Sequence, residues 1–135
     1  MRDCKTELIT GLKTAIDAKS TGLTFYTKVP KGISYPFIYA TDIFDIEDGP
    51  KNQFMYQYEV SLEVVYKDLT DKTAMWSTVN SIKEIINNCV PFSIGGNFNI
   101  MSMTLIETTE GEDLIDSQEV DTTIIRVNFK IEDNN

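Results

Sequence analysis

Apolar side chains recur at steps of three and four near the start of the chain: Cys4, Leu8, Leu12, Ala15 and Ile16, with Ile9 beside them. That spacing gathers them on one helical face, leaves Lys5, Lys13 and Asp17 elsewhere on the surface, and predicts a helix over 4–18. Gly22 follows and is placed to end it. Val29-Pro30-Lys31-Gly32 signals a turn, and Ile33 to Ala40 is aromatic and β-branched, the composition of a strand. Pro36 has no amide to give to a ladder, so it puts this strand at an edge or marks a strand start. Asp45 to Phe54 is acidic and contains Gly49-Pro50, which predicts a projecting hairpin arm or loop. The clearest strand is Tyr56 to Tyr66. Tyr58, Val60, Leu62, Val64 and Tyr66 fall on one face, and Gln57, Glu59, Ser61 and Glu63 on the other.

Residues 68–73 supply helix caps, and Met75, Val79, Ile82, Ile86 and Cys89 then return to helical steps, widened by Trp76 and Ile85 and stopped by Pro91. Gly95-Gly96-Asn97 reads as a turn. A strand is expected from Phe98 to Glu107 through Met101, Met103 and Leu105, then a polar, acidic loop over 108–119. A last strand spans Thr122 to Ile131, with Ile125, Val127, Phe129 and Ile131 on one face and Arg126, Asn128 and Lys130 on the other. The tail from Glu132 is expected to fray.

The expected fold is α+β: a four-stranded, mostly antiparallel sheet with two helices on one face, in the order α-β-β-α-β-β. Its other face should be polar. Glu59 and Glu63 would lie there with Arg126 and Lys130, and opposite charges could pair if their strands are neighbours.

The 135 residues make one domain, 1–135, and the apolar share of 41% is enough for one core. Twelve basic against 21 acidic residues leave a net charge of −9, and only Arg2 and Arg126 are arginines. That balance disfavours phosphate and base readout. There is no histidine, which removes Ser-His-Asp and Cys-His catalysis and the His-containing zinc sites. Cys4 and Cys89 are too few for a four-thiolate zinc site, and reduced thiols in a core are expected. The N-terminus lacks the apolar stretch of a signal peptide, and no run approaches the ~20 apolar residues of a membrane span. A soluble protein made in a cytoplasm is the expectation.

Tests for chemistry come out against it. Gly95-Gly96 lacks the lysine and serine of a phosphate loop. If Gly49 were the sixth position of a calcium loop, Phe44 and Ile46 would occupy the first and third ligand positions, so that pattern fails. Glu59 and Glu63 share a strand face but stand roughly 13 Å apart along it, too far for an obvious catalytic pair. The aromatic group Tyr35, Phe37, Tyr39, Phe44, Phe54, Tyr56 and Tyr58 has no interleaved basic residues, which favours core and interface packing over base stacking. No catalytic residue, metal ligand or cofactor is expected.

Val29-Pro30, Tyr35-Pro36-Phe37-Ile38, the strand Tyr58 to Tyr66, the helix Asp71 to Cys89 and the strand Ile125 to Ile131 together resemble the tail terminator (tail completion) proteins of long-tailed bacteriophages. The resemblance runs over roughly residues 4–131. It implies a non-enzymatic virion protein of the tail or neck, assembled in the host bacterial cytoplasm. Such a protein forms a ring, as a hexamer, that caps the tail tube and meets the head connector. DNA would pass through it without specific binding, and no membrane is involved. For subunit and partner contacts the candidates are Phe44, Phe54 and Tyr56 of the arm, Tyr35 and Tyr39 of the edge strand, and Arg126 and Lys130 of the polar face. Exposed aromatics in a loop rarely persist unless something covers them. Two other readings stand beside it: another neck or head-tail joining ring, and a small α+β ligand-binding, enzymatic or adaptor domain. A pocket domain needs convergent polar groups, whereas the inward faces read here are almost wholly apolar.

Overall fold

The computed structural model describes residues 4–18, 23–27, 35–46, 55–67, 71–87, 92, 94–115 and 118–133. Helix α1 (Lys5–Ala18) is followed by strands β1 (Thr24–Tyr26), β2 (Phe37–Ile46) and β3 (Met55–Lys67). Helix α2 (Thr73–Asn87) and strands β4 (Phe98–Ile115) and β5 (Gln118–Asp133) complete the chain. The strands form one sheet in the order β1-β2-β3-β5-β4. β1 runs parallel to β2, and the other pairs are antiparallel.

This corrects the expected four-stranded, mostly antiparallel sheet in the order α-β-β-α-β-β. The sheet has five strands and is mixed, and the chain order is α-β-β-β-α-β-β. The added strand, β1, is three residues long, too short to show any alternation. Its register, Thr24↔Phe37 to Tyr26↔Tyr39, depends on a partner that only the folded chain brings alongside. The loop expected over 108–119 is corrected as well. β4 continues to Ile115 and β5 begins at Gln118, paired residue by residue through Glu110↔Thr123 and Asp113↔Val120. Glu, Asp and Gly are weak strand formers, but cross-strand pairing overrides that preference. Residues 47–54, most of the expected arm, lie outside the described residues, as do Cys89 and the turn at 29–32. Phe44 is part of β2.

Strand parity explains the core. Tyr56, Tyr58, Val60, Leu62 and Val64 of β3 and Ile125, Val127, Phe129 and Ile131 of β5 point to the helices. They form one cluster with Cys4, Leu8, Leu12 and Ile16 of α1 and its flank and Met75, Val79, Ile82 and Ile86 of α2. The Asp71 carboxylate accepts the Thr73 amide at 2.9 Å and holds the start of α2. At the C-terminal end of β3, the Tyr66 hydroxyl meets the Thr78 hydroxyl at 2.6 Å and ties the sheet to α2.

β4 carries two register shifts, between Ile100 and Ser102 and between Leu105 and Glu107. Each leaves one residue unpaired and resets which parity faces inward. Ile100, Met103 and Leu105 reach the core while Met101 and Ile106 are turned out.

The turn before β4 needs its glycine. Gly96 has φ 71°, and a Cβ there would meet two ring carbons of the buried Phe98 at 3.0 and 3.1 Å. Gly96→Ala is therefore expected to cost about 1–2 kcal/mol in a urea titration. An unchanged midpoint would show that the turn can be rebuilt without the left-handed residue.

Candidate assembly surfaces

The helix-free face of the sheet is assembled from the residues left over by the core: odd positions on β3 and even positions on β5. At its centre Arg126 joins three strands. Its guanidinium donates to Glu107 of β4 at 2.8 Å and to Glu59 of β3 at 2.7 Å. Glu107 lies directly across from Arg126, and Glu59 sits on the diagonal, because Arg126 pairs with Ser61. The hydrogen bond to Glu107 and the charge of Glu59 push the guanidinium pKa further up, so it stays charged. Lys130 lies two same-face steps along, beyond Asn128, exposed, opposite Gln57 and Ser102. Phe44, across from Glu59, is on the same face and exposed.

Towards β1 this face stops being polar. Phe37, Val65 and Val120 are buried in a second cluster against Tyr26, Tyr35 and Tyr39. The Phe37 ring centroid stands 5.9, 5.5 and 5.8 Å from those of the three tyrosines. The expectation of a wholly polar second face thus holds for its middle and not for this end. Phe37 and Val65 sit opposite each other, so their side chains meet without a helix to cover them.

Between the two regions lies a buried carboxylate. Glu63 accepts a hydrogen bond from the Tyr39 hydroxyl; burial raises its pKa against that bond, and the charge of Asp113 raises it further. Burial, the bond to Glu63 and the charges of Glu63, Asp113 and Asp42 push the Tyr39 phenol up too. A carboxyl whose folded pKa is raised favours the fold while protonated and loses that advantage as pH rises through its folded value. Glu63→Gln should match the parent below the ordinary carboxylate range and become increasingly more stable than it towards neutral pH. Asp71, whose pKa is lowered by its bonds to Thr73, has the opposite sign but is common to both proteins and cancels. Denaturant midpoints from about pH 4 to pH 8 measure the difference. A pH-independent difference would sink this account.

The sequence-derived contact residues therefore separate. Phe44, Arg126 and Lys130 share the open face. Tyr35 and Tyr39 form the rim of the second cluster. Tyr56 is on the other side of the sheet, buried and packed against Tyr58 and edge-on to Phe98. Phe54 lies outside the described residues.

Sequence reasoning missed a further surface. The large apolar side chains exposed among the described residues are Phe44, Trp76, Met101, Ile106 and Leu114, each between 45% and 64% accessible. Met101, Ile106 and Leu114 are all on β4, which forms one edge of the sheet. Trp76 stands beside that strand on α2, where it lines a shallow groove of about 240 Å³ with Val79, Asn80, Lys83, Thr108 and Glu110. Only Trp76 carried a hint in the sequence, as an extra apolar residue at the margin of the helical stripe. Met101 and Ile106 are turned out by bulges, which no periodicity announces.

Among the described residues no group of three or more Cys, Asp or Glu side chains is arranged to hold a metal ion. No described helix is long and apolar enough to cross a membrane. The described surface presents a charged ladder, an aromatic end and an apolar edge.

No family model matches the chain, and no curated protein matches it. Solved structures do. A chain from the virion of a native gene transfer agent particle superposes with a TM-score of 0.72 at 9% identity, over 98% of this chain and 99% of that one. A second solved chain superposes with a TM-score of 0.59 at 12% identity, over 95% of this chain and 92% of that one. The fold, from end to end, is one that is also found in a gene transfer agent particle.

Proposed function

We propose that this chain is a structural virion protein that closes a ring on the end of a phage tail tube and joins the tube to the head connector. The observation that carries the reading is the near-complete superposition on a chain of a phage-like virion particle. It agrees with the short strings by which the sequence resembles tail terminators. Exposed apolar residues on a sheet edge, a feature that monomers normally guard against, give the chain surface to bury in such a ring. The role asks for no catalysis. Each copy would add its −9 to the wall of a conduit that DNA must cross without sticking.

Purified protein mixed with tail tubes assembled without it should add a ring of density at one tube end, seen by negative-stain electron microscopy. Light scattering on the free protein reports whether the ring is already closed in solution. Bare tube ends at saturating protein would overturn the reading. A ring on isolated head vertices, with bare tubes, would make the chain a connector-side neck protein instead.

A further inference from the structure

The long open edge of the sheet is β4. It has 18 residues and no described strand pairs along its outer side, whereas the opposite edge, β1, has three residues and no charge. Past the second register shift, from Glu107 to Ile115, β4 pairs with β5 without interruption. Its outer amides and carbonyls therefore stand in a regular row, with no bulge to spoil them for pairing. Ile106 and Leu114 are exposed at the two ends of this stretch. Above it, Trp76, Asn80 and Lys83 follow each other at steps of four and three along α2, so they share one flank of the helix. With Val79 they form one wall of the groove whose other wall is Thr108 and Glu110 of β4. The Thr108 hydroxyl oxygen is buried in that wall and has no hydrogen-bond partner among the described residues.

We propose that β4 accepts an extended, basic strand of another protein, which pairs along Glu107–Ile115 and sends a side chain into the Trp76 groove. The row of main-chain groups calls for a strand. Charge decides its chemistry: β4 carries Glu107, Glu110, Glu112 and Asp113 and no Lys or Arg. Arg126 engages Glu107, but Glu110, Glu112 and Asp113 are exposed. By pairing parity Glu110 and Glu112 lie on the helix side and Glu107 and Asp113 on the open side. Lysine or arginine on either face of an added strand therefore meets a carboxylate. The groove itself holds Lys83 together with Glu110. It suits an uncharged side chain, for which Trp76 supplies apolar area and the Thr108 hydroxyl a hydrogen-bond partner. A second copy is the poorer occupant. Its β4 would set acid against acid, and its β1 is too short to cover the row. Within the proposed ring, the donor of the strand would be one of the structures that the ring joins; the edge contact itself does not rest on the ring.

The test selects displayed random peptides of about ten residues, the length of a long strand, on the full chain. Enriched peptides should be net basic, alternate apolar with polar positions and lack proline. A synthetic copy of one should shift the amides of Glu107–Ile115 in NMR spectra and change the fluorescence of Trp76, the one tryptophan. N-methylation of alternate residues along one edge of the peptide should abolish binding, and along its other edge should not, because only one edge pairs with β4. Glu110→Lys with Glu112→Lys, both exposed positions, should bind about tenfold more weakly or worse. Raised salt should weaken the parent in the same direction, a control that needs no variant to fold. Four results would overturn the proposal: no enrichment, enriched peptides that are neutral or acidic, two methylated forms that bind alike, or shifts confined to Phe44 and the open face. Shifts on β4 that grow with the parent's own concentration would give the edge to a second copy instead. Peptide binding is read on the free chain, so it stands or falls apart from the ring.

Discussion

Phe129→Ala is expected to lower the stability of the domain by about 3–5 kcal/mol, the largest loss of any single replacement considered for this protein. Phe129 is fully buried in β5, an internal strand, directly between Tyr58 of β3 and Met103 of β4. Its ring meets Phe92 edge-on at 6.2 Å, beneath the helical layer. Removing it deletes buried apolar surface and opens a cavity that a hydrogen-bonded sheet cannot collapse to fill. A domain of this size has about 5–15 kcal/mol in total, so the variant should be close to unfolding at 37 °C. Urea midpoints measure the effect, and Phe129→Leu, which keeps most of the volume, should lose under about 1.5 kcal/mol. A loss below about 1 kcal/mol for the alanine variant would mean that the two layers can close over the gap.

Phe37→Ala should cost about 3 kcal/mol, and unevenly. Phe37 is also fully buried, but in the second cluster, where Tyr26, Tyr35 and Tyr39 are its cover. β1 is held by a three-residue parallel register to β2 and by the contact of Tyr26 with Phe37. With the ring gone, β1 should open before the rest of the sheet. Hydrogen exchange should then rise at Thr24–Tyr26 well above the change seen in α1 and α2. A uniform rise over the whole domain would show that Phe37 belongs energetically to the main core.

Much of the inner architecture was legible because it follows from local periodicity. The stripe Leu8, Leu12, Ile16 and the stripe Met75, Val79, Ile82, Ile86 mark two helices whose observed spans, Lys5–Ala18 and Thr73–Asn87, agree with them. The alternation Tyr58 to Tyr66 marked β3 and its buried face. That Glu59 or Glu63 could pair with Arg126 or Lys130 was foreseen as conditional on neighbouring strands; β3 and β5 are neighbours, and Arg126 pairs with Glu59. The share of Glu107 in that ladder was not foreseen, because it needs the register of β4 past a bulge. The exposed edge was less legible still. Met101 reads as an inward residue in an unbroken strand and becomes outward when Ile100 and Ser102 are shifted by one.

The sequence by itself determined two helices, the faces that β3 and β5 bury, an acidic net charge and an absence of histidine. Each of these depends on residues a few positions apart, or on counting. Only the tertiary structure decided that β1 exists, that residues 108–115 are strand, and that one end of the open face is an aromatic cluster. It also decided that β1 and β4 become opposite rims of one sheet. Those features arise from hydrogen bonds and contacts between distant segments, and such pairings have no signature in the spacing of neighbouring residues.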